Sequence, residues 1–263
     1  MKPRSDQVTA SLSLHEHLAA LEASGGRLGD CAGDAGLEAR VPTCPEWTVR
    51  ELVAHQAMVH RWATAHIRGD DPDQSPAQAQ ILETESDLVS YYREGLAALV
   101  AALNDAPADL EAMTFLKDAP PPREFWARRQ AHETTIHMVD AQAAVLGRAP
   151  TTDEAAIDNG LATDGLDELL RGFFTRGKSK LFDGVPFVVV VAPRDVDRRW
   201  VLRVDERLTV DPEDDDASDA DARLTGSAAA LYLALWNRGD EIVVEGNPEV
   251  FARWRETQRV TWS

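Results

Sequence analysis

Four helix-length amphipathic segments occupy the first 150 residues, and the breaks between them constrain the fold more than any other feature of the chain. Apolar positions recur at helical spacing from about Gln7 to Cys31, from Thr48 to Ile67, from about Gln78 to Leu103 and from about Arg123 to Leu146. The interruptions are rich in turn-forming residues. They are the glycines at 25, 26 and 29, the loop Val41-Pro42-Thr43-Cys44-Pro45, the run from Asp70 to Pro76 and the triplet Pro120-Pro121-Pro122, with Gly147 and Pro150 closing the series. Helices of this length with one apolar stripe each must bury those stripes against one another, and a four-helix bundle over residues 1–150 is the expected result.

The start of the second segment is the best defined. Thr48 and Glu51 form a T-x-x-E capping box, and Trp47 and Leu52 take the flanking positions of a hydrophobic staple. After about Pro150 the pattern changes. A helix is expected from Thr152 to Thr175, then a β-branched strand from Val185 to Ala192. Two more strands follow at 198–204 and 206–210, joined at Asp205-Glu206. Helices from Ser227 to Trp236 and from Pro248 to Gln258 flank a short strand at 241–246. Residues 151–263 therefore read as a smaller α+β domain with an antiparallel sheet. The acidic segment from Asp211 to Ala222 lacks the glycine and the closing glutamate of an EF-hand loop, and it reads as a solvated hairpin loop.

Bulk charge removes several functional classes. With 27 basic and 45 acidic residues the formal charge is −18, a field that repels phosphate backbones and anionic lipid. Nucleic acid and membrane are not expected as partners. No apolar run has the length of a transmembrane helix, and the basic N-terminus lacks an apolar signal core, so a cytoplasmic protein is expected. Two cysteines, Cys31 and Cys44, do not make a disulfide framework or a CxxC pair. Cys44 is expected as a buried packing residue.

Metal-ligand residue types stand out on two of the helical segments. Glu133 and His137 are spaced i, i+4, about 40° apart around a helix, so both project from one face. His132 and His137, by contrast, are about 140° apart, which rules out an HExxH-type site and leaves His132 outside the ligand set. His55 on the second segment can complete a His, His, Glu site with one coordination position open, the arrangement of a catalytic rather than a structural zinc. An ExxxH pair also occurs on exposed helices as a modest surface pair, and spacing alone leaves both readings open. Asp140, three residues after His137, can orient that imidazole or pair with it at the surface. His60 and His66 are expected at polar surface or rim positions.

The stretch VPTCPEWTVRELVAHQAMVHRWA at 41–63, followed by HETTIHMVDA at 132–141, resembles the mycothiol-dependent maleylpyruvate isomerase family. The resemblance implies a DinB-like metal-binding bundle at 1–150 and a sterol-carrier-like α+β domain at 151–263. It implies zinc ligands at His55, Glu133 and His137. Glu46 and Met138 depart from the family pattern beside the motifs. The implied chemistry is activation of mycothiol as a thiolate, for cis–trans isomerisation of a maleylpyruvate-like substrate or for S-transfer to an electrophile. Partners would then be a small electrophile and a low-molecular-weight thiol. Arg238, in a W-x-R motif, is implied at the substrate carboxylate, and it reads equally as a surface arginine at a helix C-terminus. Two other functions use the same fold: a non-catalytic small-ligand-binding protein, and a metal-dependent hydrolase that needs no thiol. Imidazole and carboxylate accept zinc, nickel or iron, so the sequence leaves the metal open, and the oligomeric state with it.

Overall fold

A computed structural model describes residues 12–211 and 217–258. Four long helices form the N-terminal half: α1 (Leu14–Ala35), α2 (Val49–Arg68), α4 (Leu88–Asp105) and α5 (Pro122–Leu146), with the short α3 (Gln78–Thr84) before α4. The expected start of the first helix falls partly outside the described residues. Within them, α1 is opened by a capping box in which the Ser13 N–H donates to Glu16 Oε2 at 2.7 Å. Its glycines do not end it. A Cβ on Gly25 would stand 2.5 Å from Leu96 Cδ2, so this glycine lets α1 and α4 approach, and the Tyr92 hydroxyl donates to the Gly25 carbonyl at 3.0 Å. The capping box of α2 is present, with the Thr48 N–H donating to Glu51 Oε2 at 2.7 Å. The third expected helix is broken at 85–87, where extended Glu85 ends α3 and the Asp87 carboxylate caps α4 through the Ser90 N–H at 3.1 Å.

Helix α5 is the axis of the molecule. From Phe125 to Ala141 every residue except Arg128 is buried, although Arg129, Gln130, His132, Glu133, Thr134, Thr135, His137 and Asp140 lie in that span. A helix buried all round is ordinarily apolar. One this polar must satisfy its side chains internally or hold a ligand, because buried polar groups left unpaired are costly. One apolar cluster, around Trp126, Leu99 and Ile67, fills one end of the bundle. The other is continuous from Leu28 and Leu52 to Trp200 and Tyr232 and so joins the bundle to the second half.

That second half opens with α6 (Thr152–Ala155) and α7 (Asn159–Asp167) rather than one helix. Ala156 is left-handed at φ 52°, and the Asp158 carboxylate starts α7 by accepting from the Gly160 N–H at 2.8 Å. A π-helical turn at Glu168–Phe173 follows. Five strands, β1 (Phe187–Pro193), β2 (Trp200–Val204), β3 (Leu208–Val210), β4 (Ala222–Gly226) and β5 (Val243–Gly246), form a sheet in the order β3-β2-β1-β4-β5. Its pairings are antiparallel as expected except β1 with β4, which is parallel with Val191 opposite Leu224. Residues 212–216 of the acidic segment lie outside the described residues, and the segment's last residue begins β4. Helices α8 (Ala228–Leu235) and α9 (Glu249–Thr257) complete the half. Among the described residues no helix is long and apolar enough to cross a membrane.

Candidate active site

The three residues selected by spacing converge. His55 from α2 and Glu133 and His137 from α5 are 4%, 3% and 8% exposed, and their ligand-capable atoms lie within 4.8 Å of one another. Glu133 Oε1 stands 3.6 Å from His55 Nε2 and 3.3 Å from His137 Nε2. His55 Nε2 is buried with no hydrogen-bond partner among the described residues. A buried nitrogen lone pair of this kind, facing a carboxylate and a second imidazole, is a donor set that fits a divalent cation. The three also line a cavity of about 1150 Å³, which gives a bound cation an open side. Trp47 walls that side, its ring centroid 4.9 Å from His55 and 5.9 Å from His137.

A second layer fixes these groups. His137 Nδ1 is 2.9 Å from Asp140 Oδ2, which aims the other ring nitrogen at Glu133. Asp140 is fully buried, so the sequence alternative of a surface pair is removed. Its carboxylate also accepts from Thr43 Oγ1 at 2.6 Å and from Arg238 Nε and Nη2, each at 2.9 Å. Glu133 is held from the far side. Arg129, wholly buried one helical turn earlier, donates from Nη2 to Glu133 Oε2 at 3.1 Å and from Nη1 to Glu168 in the π-helical turn. One Glu133 oxygen is thus committed to Arg129, and the other faces the histidines. No part of the sequence analysis drew on Arg129, although its i, i+4 spacing to Glu133 was available.

Electrostatics follow from this packing. Burial pushes the His55 imidazole below its ordinary value, towards the neutral form that can ligate a metal. Burial opposes ionisation of Glu133, but the neighbouring His137 and His55 imidazoles and the Arg129 charge hold its carboxyl well below the usual range. Burial would also lower His137, and the Asp140 and Glu133 hydrogen bonds overcome it and raise the group to about 9. A cation at Nε2 would take the place of that proton.

Arg238 lies in the cavity wall, positioned by the end of α8. There the Asn237 N–H donates to Ala234 O at 3.0 Å and the Arg238 N–H to Leu233 O at 2.7 Å, while Asn237 is left-handed at φ 61°, a Schellman ending. The guanidinium is largely committed: besides Asp140 it donates to Trp236 O at 2.8 Å and towards Cys44 Sγ at 3.1 Å. That leaves one Nη1–H of its five donors. It is not the surface arginine of the sequence alternative. Cys44 is half-buried and packs on the core, but its thiol also points to Asp140 at 3.5 Å. Burial, with the Asp140 charge, pushes that thiol up to about 12.

Of the other histidines, His60 differs from expectation. His60 is fully buried rather than at the rim, with Nε2 2.9 Å from Gln56 Nε2 and 3.0 Å from Thr134 Oγ1. His66 is partly buried, stacked 5.1 Å from Trp126. His132 turns away from the site, as its spacing requires, and joins His17 and Asp164 in a second buried cluster. Asp164 Oδ2 lies 2.8 Å from His132 Nε2, 3.1 Å from His17 Nε2 and 2.7 Å from Arg128 Nε. The Arg128 guanidinium already supplies the cation there, and the cluster ties α1 and α5 to α7.

Sequence models place the chain further. That of the mycothiol maleylpyruvate isomerase N-terminal domain matches residues 18–142, and that of the corresponding C-terminal domain matches residues 160–253. No curated protein matches the sequence. Two solved structures resemble the fold: a histidine-to-alanine variant of the mycothiol-dependent maleylpyruvate isomerase, at 16% identity with a TM-score of 0.61, and the unsubstituted enzyme, at 17% and 0.60. Each comparison covers 89% of this chain and 93% of the other. With both of its halves matched, the chain belongs to the mycothiol-dependent maleylpyruvate isomerase family and is an isomerase-like enzyme.

Proposed function

We propose that this enzyme binds zinc through His55, Glu133 and His137 and uses mycothiol to isomerise a maleylpyruvate-like cis double bond. The observation that carries the reading is the convergence of those three buried side chains on the cavity wall, with one imidazole nitrogen lacking a partner. Zinc bound there supplies a Lewis acid that lowers the pKa of an incoming thiol and favours the nucleophilic thiolate near neutral pH.

The protein groups have separate tasks. Asp140 fixes the His137 ring and raises its basicity, while Arg129 restrains Glu133 and withdraws charge from it. Trp47 and Trp236 limit water in the cavity. Arg238 holds Asp140 and offers its remaining N–H to a substrate carboxylate. A bound thiolate would supply a nucleophile for reversible addition to the cis double bond, which allows rotation about the former double bond and returns the thiol unchanged. Neither protein cysteine is required.

The test is maleylpyruvate turnover by zinc-loaded protein with and without mycothiol. Thiol-dependent isomerisation, abolished in His55→Ala with the fold retained, supports the proposal. Formation of a stable S-conjugate instead would assign S-transfer, and a hydrolysis product formed without thiol would assign a hydrolase.

A further inference from the structure

Two buried polar atoms on residues that line the cavity have no hydrogen-bond partner among the described residues. The indole Nε1 of Trp236 is buried, in a residue only 8% exposed, and Oδ1 of the next residue, Asn237, is also buried. Both residues line the cavity that contains His55, Glu133 and His137. Their placement is tightly determined. The Schellman ending of α8 fixes the backbone, and Asn237 Nδ2 donates to the Gln258 carbonyl at 3.0 Å. A carbonyl only accepts, so that contact assigns the amide nitrogen and leaves the oxygen as the unused atom. An indole N–H only donates and an amide oxygen only accepts. Their complement is one group that does both, which a hydroxyl does and a carboxylate does not.

The cavity, at about 1150 Å³, exceeds the roughly 300–1,000 Å³ typical of small-ligand sites and is far larger than a short dicarboxylic acid needs. The space suits a bulkier co-ligand, and mycothiol carries a hydroxyl-rich sugar and inositol portion behind its acylated cysteine. We propose that Trp236 and Asn237 form a subsite for a sugar hydroxyl of the thiol, with the Trp236 N–H donating to its oxygen and Asn237 Oδ1 accepting its proton. This rests on the thiol-dependent reading above and assigns the end of the cavity that holds the non-reacting part of the thiol.

The experiment is calorimetric titration of zinc-loaded protein with mycothiol and with N-acetylcysteine, which has the cysteine end and no sugar. Trp236→Phe keeps an aromatic ring and removes the N–H. Asn237→Gly keeps the left-handed turn and removes the amide. Each variant should bind mycothiol about three- to tenfold more weakly, the range of one neutral hydrogen bond, with N-acetylcysteine affinity unchanged. Unchanged mycothiol binding in both correctly folded variants would overturn the subsite. Equal losses for both thiols would place the acylcysteine amide there and overturn the hydroxyl assignment. A wild-type protein that binds neither thiol would remove the thiol reading itself, and the subsite with it.

Discussion

Arg129→Met is the perturbation whose sign most depends on the second layer of the site. Arg129 lies wholly buried between Glu133 and Glu168, with the Phe173 ring centroid 5.0 Å from its guanidinium carbon. Met keeps most of the side-chain volume and removes the cation, leaving two buried carboxylates without it. Loss of one partner of a buried ion pair costs about 3–5 kcal/mol, and the metal-free protein should lose an amount in that range. Zinc neutralises Glu133 directly, so the loaded variant retains only the Glu168 penalty and should lose about 1.5–2.5 kcal/mol less, taking one of the two charges as roughly half the cost. Linkage converts that difference into a zinc affinity roughly 10- to 70-fold tighter in the variant than in the wild type. Urea unfolding with a chelator and with excess zinc gives the two stabilities, and chelator competition gives the affinity independently. Equal destabilisation with and without zinc, or weaker zinc binding, would refute the view that Arg129 draws charge away from Glu133.

Asp140→Asn should act in the opposite direction, because it removes the negative charge and one of the two acceptor oxygens shared by His137 and Arg238; zinc affinity measured by competition should fall about 10- to 100-fold. His60 links stability to pH. Burial first, and then the Arg61 charge, lower its pKa to about 3, against the opposing influence of Glu133. Below pH about 6.5 the unfolded chain takes up a proton that folded His60 refuses, so its contribution is complete above that value and is lost as pH falls towards 3. Metal-free protein should lose about 1 kcal/mol more per pH unit across that window than His60→Gln does, and parallel urea curves for the two would contradict this. Gly165→Ala tests the junction of α7 with α8. A Cβ there would stand 2.4 Å from Tyr232 Cε2 and 2.9 Å from His132 Nδ1. Thermal unfolding should show a loss of about 1–3 kcal/mol despite the better helix propensity, and a gain would contradict the close packing.

Features governed by local rules were legible in the sequence. The start of α2 follows from Thr48 and Glu51, and the common face of Glu133 and His137 follows from helical spacing, which also separated His132 from them. His55 entered as an imidazole on a second helical segment able to complete the set, and the family resemblance implied the same three residues. What stayed hidden depends on contacts distant in the chain. Gly25 and Gly29 of α1 look like terminators and are places of helix contact, against Leu96 and Arg93 of α4. Polar letters on α5 look like a solvent face, yet His60 and Gln56 of α2 satisfy some of them in the interior and Asp164 of α7 satisfies others. Arg238 was read as a substrate ligand or a surface charge. Its engagement with Asp140, nearly a hundred positions away, is visible only in three dimensions. The same holds for Trp236 and Asn237, whose unused polar atoms are defined by what they fail to touch.

Metal content tests the central claim most directly. Elemental mass spectrometry of purified wild type, His55→Ala and Glu133→Ala, each checked for folding by circular dichroism, should find about one zinc or other divalent metal per chain in the wild type and none in either folded variant. A second equivalent lost in Asp164→Asn would contradict the assignment of Arg128 as the cation of the other histidine cluster. No metal in the wild type after zinc is supplied, or full retention in both variants, would contradict the account itself.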